Sequence, residues 1–202
     1  MTLALAPNRE LFRSETEATY TKLLPYLKEQ LSRQRTMRSA ADRDPTTGVL
    51  RRAVFFERLS AWLSSSAKKP KPLSLCLFEL QDTEELYQRH GVSVVTQLVA
   101  VIGSILTASF GIADLRGRYQ TTMFAVAFPG MLAPQCSPSI EALLAGVSSL
   151  EFYDEAGAPF SVSCSAGLSQ YPQDARELSA LCKSAERKLW RASRQGLSQL
   201  FI

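Results

Sequence analysis

The chain predicts an α/β layered domain in which helices cover a mostly antiparallel central sheet, with a helical extension in front. Three observations carry this prediction. The run LSLCLFEL, Leu73 to Leu80, is compact and apolar between polar flanks, as a buried strand is. The run FSVSCSAGL, Phe160 to Leu168, alternates Phe160, Val162, Cys164 and Ala166, as a strand packed on one face does. The segment from Asp174 to Gly196 places Leu178, Leu181, Ala185 and Leu189 on one helical face, with Gly196 just past the end.

The remaining elements follow in order. Residues 8–37 read as helical, with Leu11, Tyr20, Leu23, Leu24, Leu27 and Leu31 in a partly amphipathic pattern. Pro25 breaks or kinks that pattern, so one helix or two shorter ones are both open. Met37 to Pro45 is a polar linker, which divides the chain into an extension (1–43) and a domain (44–202). A helix is expected from Arg51 to Leu63 with Phe55, Leu59 and Trp62 or Leu63 inward, then a solvated loop, SSSAKKPKP. After the first strand come a polar helix start, QDTEELYQRHG, and an apolar helix, VVTQLVAVIGSILTASF. Leu115 to Phe128 reads as two half-strands, Ser139 to Ser149 as a helix, and the tail SQLFI as a last strand. The order is therefore helix, strand, helix, hairpin, helix, strand, helix, strand, an α/β (α+β layered) domain with helices covering a mostly antiparallel sheet.

Composition narrows the function. With 46% hydrophobic residues in 202, a true core forms. The start MTLALAPNRE lacks a basic n-region and an apolar h-region, and no apolar run is read as long enough to span a bilayer, so the expected location is the cytoplasm. Cys76, Cys136, Cys164 and Cys182 are scattered without a C-x-x-C pair and read as reduced core thiols. His90 is the one histidine and has no evident catalytic partner. The net charge of +4 is uneven: residues 1–71 hold 14 Lys/Arg and 7 Asp/Glu, and residues 72–202 hold 9 and 12. A basic front on an acidic body suits an arm that docks on a protein partner; without interleaved aromatics, nucleic acid is not expected.

The segment RYQTTMF, Arg118 to Phe124, poses a puzzle, because it joins two half-strands through Gln120, Thr121 and Thr122, none a favoured tight-turn residue. Five pieces in order place it. They are Asp44-Pro-Thr-Thr47-Gly48-Val-Leu-Arg-Arg52, the strand LCLFEL followed by Gly91, RYQTTMF itself, FSVSCSAGLSQYPQDA and SAERKLWRASRQG. Together they resemble the GGDEF domain of bacterial diguanylate cyclases, from about Asp44 to Ile202. RYQTTMF stands where that family has R-Y-G-G-D-E-F. The resemblance implies the family's palm-like fold and a site that makes cyclic di-GMP from two GTP molecules on two metal ions.

Carried over residue by residue, the resemblance also implies that this site is degenerate. Its first metal Asp falls on Glu79, its second metal carboxylate on Thr122 and the next acid on Met123. Its paired glycines fall on Gln120 and Thr121, and its guanine-reading Asn and Asp on Tyr87 and Thr96. Its phosphate-binding Lys and Arg fall on Ser193 and Leu197, and its inhibitory R-x-x-D on Gly111 to Asp114. The expected product of these changes is a catalytically inactive pseudoenzyme with no cofactor. It would act as an interaction or scaffold module in cyclic di-GMP-related signalling. The expected partner is a signalling protein such as a receiver-domain or polarity-hub protein, or a second copy, with Leu11, Tyr20, Leu24, Leu27 and Leu31 as the docking face. The alternative is a nucleotide-responsive sensor that uses Glu79, Asp114, Arg116, Arg118 and Arg194. A different enzyme built on the acidic run Glu79, Asp82, Glu84 and Glu85 is less favoured, since acids suit a helix start in any case.

Overall fold

The computed structural model describes residues 40–66, 71–111, 114–154, 156–196 and 198–202. The extension residues Leu11, Tyr20, Leu24, Leu27 and Leu31, and also Leu197, lie outside the described residues. The unit considered below runs from Arg43 to Ile202.

Its elements are α1 (Arg52–Ser65), β1 (Leu73–Leu80), α2 (Thr83–Ser109), β2 (Leu115–Arg118), β3 (Met123–Pro129), α3 (Ala133–Ser148), β4 (Phe152–Tyr153), β5 (Pro159–Phe160), β6 (Cys164–Tyr171), α4 (Leu178–Gln195) and β7 (Leu200–Phe201). The main sheet has the order β2-β3-β1-β6-β7, antiparallel throughout except for the parallel pair β6–β7. This is the layered α/β arrangement that the sequence predicts.

β1 is central because nearly every one of its side chains is apolar, so it can be covered on both faces. Alternate residues split between two cores. Cys76, Phe78 and Leu80 face the cluster that α2 and α3 close with Val95, Leu98, Ile102, Ile140 and Leu144. Leu73, Leu75 and Leu77 face the cluster that α1 and α4 close with Phe55, Leu59, Leu181, Ala185 and Leu189. The period of two in the strand thus sorts the two helical layers.

Four expectations change. The strand read as Phe160 to Leu168 is two strands. β1 ends at Leu80 opposite Cys164, so earlier residues have no partner in the sheet, and Pro159–Phe160 instead pairs with Phe152–Tyr153. β6 continues to Tyr171 because Leu73 still faces it. The helix read from Ser139 starts at Ala133: Pro134 is tolerated in a first turn, and the Leu132 N–H donates to Gln135 Oε1 at 2.8 Å. α2 is long and apolar enough to cross a membrane by length and composition, contrary to the sequence reading. However, it lays Val94, Val95, Leu98, Val99, Ile102 and Leu106 into the domain, as a core helix does. The polar start and apolar continuation of α2 meet at Gly91, whose φ of 76° breaks the helix there.

Candidate functional site

The end of the sheet formed by β1, β3 and the β2–β3 tip holds the candidate site. The tip turns without a left-handed residue: among the described non-glycine residues only Asp82 and Ser198 have positive φ. The Tyr119 and Gln120 N–H groups both donate to the Met123 carbonyl, at 2.8 and 3.0 Å. Arg118 then ties the loop down, with Nη2 donating to the Thr121 carbonyl at 2.9 Å. Its Nη1 donates to Asp44 Oδ1 at 3.0 Å, and that same oxygen accepts from the Thr47 N–H and hydroxyl at 3.0 and 2.8 Å. Burial alone would raise the Asp44 pKa, but Thr47 and Arg118 outweigh it and hold the carboxyl below the usual range. Tyr119 is buried and donates its hydroxyl to Glu186 Oε1 at 2.6 Å, while the Arg52 guanidinium sits 4.9 Å from its ring centroid. The tip therefore turns on side-chain clamps from other elements, not on glycine.

Within the tip, Gln120 and Thr121 are exposed, whereas Thr122 and Met123 are buried at 7% and 8% exposure. Met123 packs with Phe55, Leu77 and Tyr119 and lies opposite Glu79 across the β1–β3 pair. Glu79 also lies opposite Ser165, whose hydroxyl is buried without a hydrogen-bond partner. Burial raises the Glu79 pKa, so its surroundings disfavour the charged carboxylate. Among the described residues, no group of three His, Cys, Asp or Glu side chains is placed to hold a metal ion.

Known proteins share this architecture. A match to the family described as diguanylate cyclase, GGDEF domain, spans residues 41–199. The chain belongs to the GGDEF family. The diguanylate cyclase DgcP of Pseudomonas aeruginosa is 26% identical over 166 residues, covering 82% of this chain and 24% of that protein. An uncharacterized signaling protein of Caulobacter vibrioides is 25% identical over 189 residues, covering 91% and 23%. The chain thus spans about a quarter of the length of these two relatives. Among solved structures, the FimX GGDEF domain of Pseudomonas aeruginosa aligns with a TM-score of 0.73 at 24% identity, over 79% of this chain and 98% of that one. The diguanylate cyclase SiaD of Pseudomonas aeruginosa, solved with its activator SiaC, aligns with a TM-score of 0.83 at 21% identity, over 95% and 72%.

The other GGDEF positions singled out in the sequence are dispersed. Tyr87, on the first turns of α2, packs half-buried against the core of Phe78 and Phe124. Met123 belongs to the opposite core, so Tyr87 and Met123 do not fill one common cleft. Thr96 is exposed and donates its hydroxyl back to the Val92 carbonyl at 2.8 Å. Ser193 does the same to the Trp190 carbonyl at 2.9 Å, and Arg194 stacks over Trp190 at 4.8 Å. Asp114 Oδ2 accepts from the Gly111 N–H at 2.9 Å, and Arg116 Nη1 donates to the Phe110 and Gly111 carbonyls at 2.8 Å each, so both charged side chains are engaged by nearby backbone.

Two contacts escaped sequence reading. Asp154 Oδ2 lies 3.9 Å from His90 Nδ1, with the imidazole stacked on Phe160 at 4.0 Å, so His90 does have an acidic neighbour. The Tyr119–Glu186 bond joins residues 67 apart. Neither pair has a local spacing that would announce it.

Proposed function

We propose that this GGDEF protein is catalytically silent and serves as an interaction module in cyclic di-GMP-related signalling. The carrying observation is the hairpin tip. Where the family's signature sets two acids, Thr122 and Met123 stand buried, and where it sets two glycines, exposed Gln120 and Thr121 occupy the approach. The donor set does not suit two divalent cations. Hard oxygen ligands with negative charge are required, and a neutral threonine at 122 together with a carboxyl at Glu79 whose pKa is raised supplies too little of it. Tyr87, half-buried against the core, and Thr96, bonded to its own helix, offer no carboxylate or amide edge to a guanine.

The framework is retained in the same places. Asp44 clamps Arg118 and Glu186 clamps Tyr119, which fits a domain kept for its surface. The relative SiaD was solved with a protein activator, which supports a signalling protein as partner. The division at residues 43 and 44 and the docking role of the extension belong to this proposal.

The test is direct. Incubated with GTP and magnesium beside an active GGDEF enzyme, the full chain is expected to form no cyclic di-GMP; product formation would overturn the reading. Calorimetry with GTP–magnesium and with cyclic di-GMP is expected to show no heat, and saturable heat would favour a nucleotide sensor. Removal of residues 1–43 is expected to change oligomeric state or partner binding.

A further inference from the structure

Helix α4 presents two faces of opposite character. Its inner face buries Leu181, Ala185, Leu189 and Ala192 at 0–3% exposure. Its outer face exposes Lys183, Arg187, Trp190, Arg191 and Arg194. Positions 183, 187, 190 and 194 recur at four-three-four spacing, which lines them up along about 16 Å of one stripe.

The charge on this helix stands out from the rest of the domain. α4 holds five Lys/Arg with a single acid, Glu186, whereas the rest of residues 43–202 carries eleven Lys/Arg against thirteen Asp/Glu. Glu186 is taken by the Tyr119 hydroxyl, and Lys188 by Asp174 at 2.7 Å. The other four cations form no ion pair among the described residues. Like charges one turn apart repel, and no ion pair among the described residues offsets them.

Apolar side chains lie among and beside the cations. Trp190 is 59% exposed beneath the Arg194 guanidinium. Arg191 lies 5.6 Å from the Phe201 ring centroid, beside Ile202 at 50% exposure. Exposed tryptophan with arginine is the composition of a binding hot spot.

We propose that the outer face of α4 docks an acidic, amphipathic protein segment, with carboxylates along the stripe and an apolar side chain over Trp190. Charge complementarity selects this occupant. Three of the four cations are arginines, whose planar forks match carboxylates in pairs. The stripe is one helix wide on a body with a surplus of acids, so a narrow acidic segment fits where a broad polyanionic surface meets repulsion. The proposal names the partner chemistry for the interaction module inferred above and rests on that reading.

The test uses the full chain without nucleotide and a fluorescein-labelled synthetic peptide with Glu at four-three-four spacing and Leu beside each Glu. Fluorescence anisotropy is expected to show saturable binding. The Arg187→Gln/Arg191→Gln/Arg194→Gln variant is expected to weaken it by roughly tenfold or more, and Trp190→Ala by about fivefold. If the triple variant fails to fold, Arg187→Gln and Arg194→Gln singly carry the same comparison. Absence of peptide binding, or binding unchanged in these variants, overturns the proposal. It is equally overturned if phosphatidylserine-containing vesicles or a DNA duplex bind as tightly as the peptide with the same dependence on α4. Either outcome leaves the cyclase assay standing by itself, and cyclic di-GMP formation would leave this surface in place.

Discussion

Arg118 and Asp44 are 74 residues apart in the chain, and their side chains meet at 3.0 Å. Both are mostly shielded, at 22% and 18% side-chain exposure, and Arg118 also holds the tip carbonyl of Thr121. One guanidinium therefore fastens the N-terminal loop of the domain to the hairpin tip.

Removing either partner costs the charge-assisted hydrogen bond between them, while Asp44 keeps its Thr47 donors and Arg118 keeps the Thr121 carbonyl. Asp44→Asn and Arg118→Ala are each expected to cost roughly 1.5–3 kcal/mol of unfolding free energy in a denaturant titration. The Asp44 pKa is lowered in the folded chain, so its contribution is complete at neutral pH. It is lost as pH falls through the ordinary carboxylate range toward the folded value. Asp44→Asn should therefore flatten the acid limb of stability against pH.

Glu79 has the opposite sign. Burial raises its folded pKa, so ionisation favours the unfolded chain once pH exceeds the ordinary value for glutamate. Glu79→Gln is expected to raise stability at pH 7 and to leave it nearly unchanged well below pH about 4. Denaturant midpoints at the two pH values check this, and a loss of stability at pH 7 would give Glu79 a stabilising role.

Gly167 and Gly146 make an internal contrast. A Cβ at Gly167 would overlap the backbone of α4 at Leu189 and Ala185, whereas one at Gly146 meets nothing within 4 Å. Gly167→Ala is expected to cost roughly 3 kcal/mol or more, since helix and sheet must separate. Gly146→Ala, on the exposed side of α3, is expected to gain about 0.5–1 kcal/mol from helix propensity. Thermal unfolding of the two variants gives the comparison.

The four thiols are all free and buried. Burial pushes the Cys164 pKa up to about 12, with Glu79 adding to it, and that of Cys182 to about 11. A thiol reagent at pH 8 is expected to react slowly with the native chain and with all four cysteines in guanidinium chloride. Fast reaction of any thiol in the native chain would show that its core opens.

Much of this was legible in the sequence. LSLCLFEL gave β1 to the residue, because a doubly covered strand is mostly apolar between polar stops. RYQTTMF marked the hairpin by its flanks, and Gly91 marked the break in α2. The missed features depended on partners. The alternation from Phe160 to Ala166 runs across a strand boundary because side-chain period carries no information about where the neighbouring strand ends. Pro134 and Pro138 hid the first turns of α3, whose start is set by a cap and by the Gln170 side chain accepting from the Ala133 N–H at 3.0 Å.

The sequence by itself determined the layered fold, the order of its helices and main-sheet strands, and the residue types available at each signature position. The fold and the order follow from periodicity and composition, which are local, and the signature positions follow from the resemblance to the GGDEF family. Only the tertiary structure decided that Tyr87 and Met123 lie in opposite cores, that His90 faces Asp154, and that a glycine-free tip is held by Arg118, Asp44 and Glu186. Such contacts join residues tens of positions apart, and their geometry is set by how strands register and helices pack, which no short window of sequence contains.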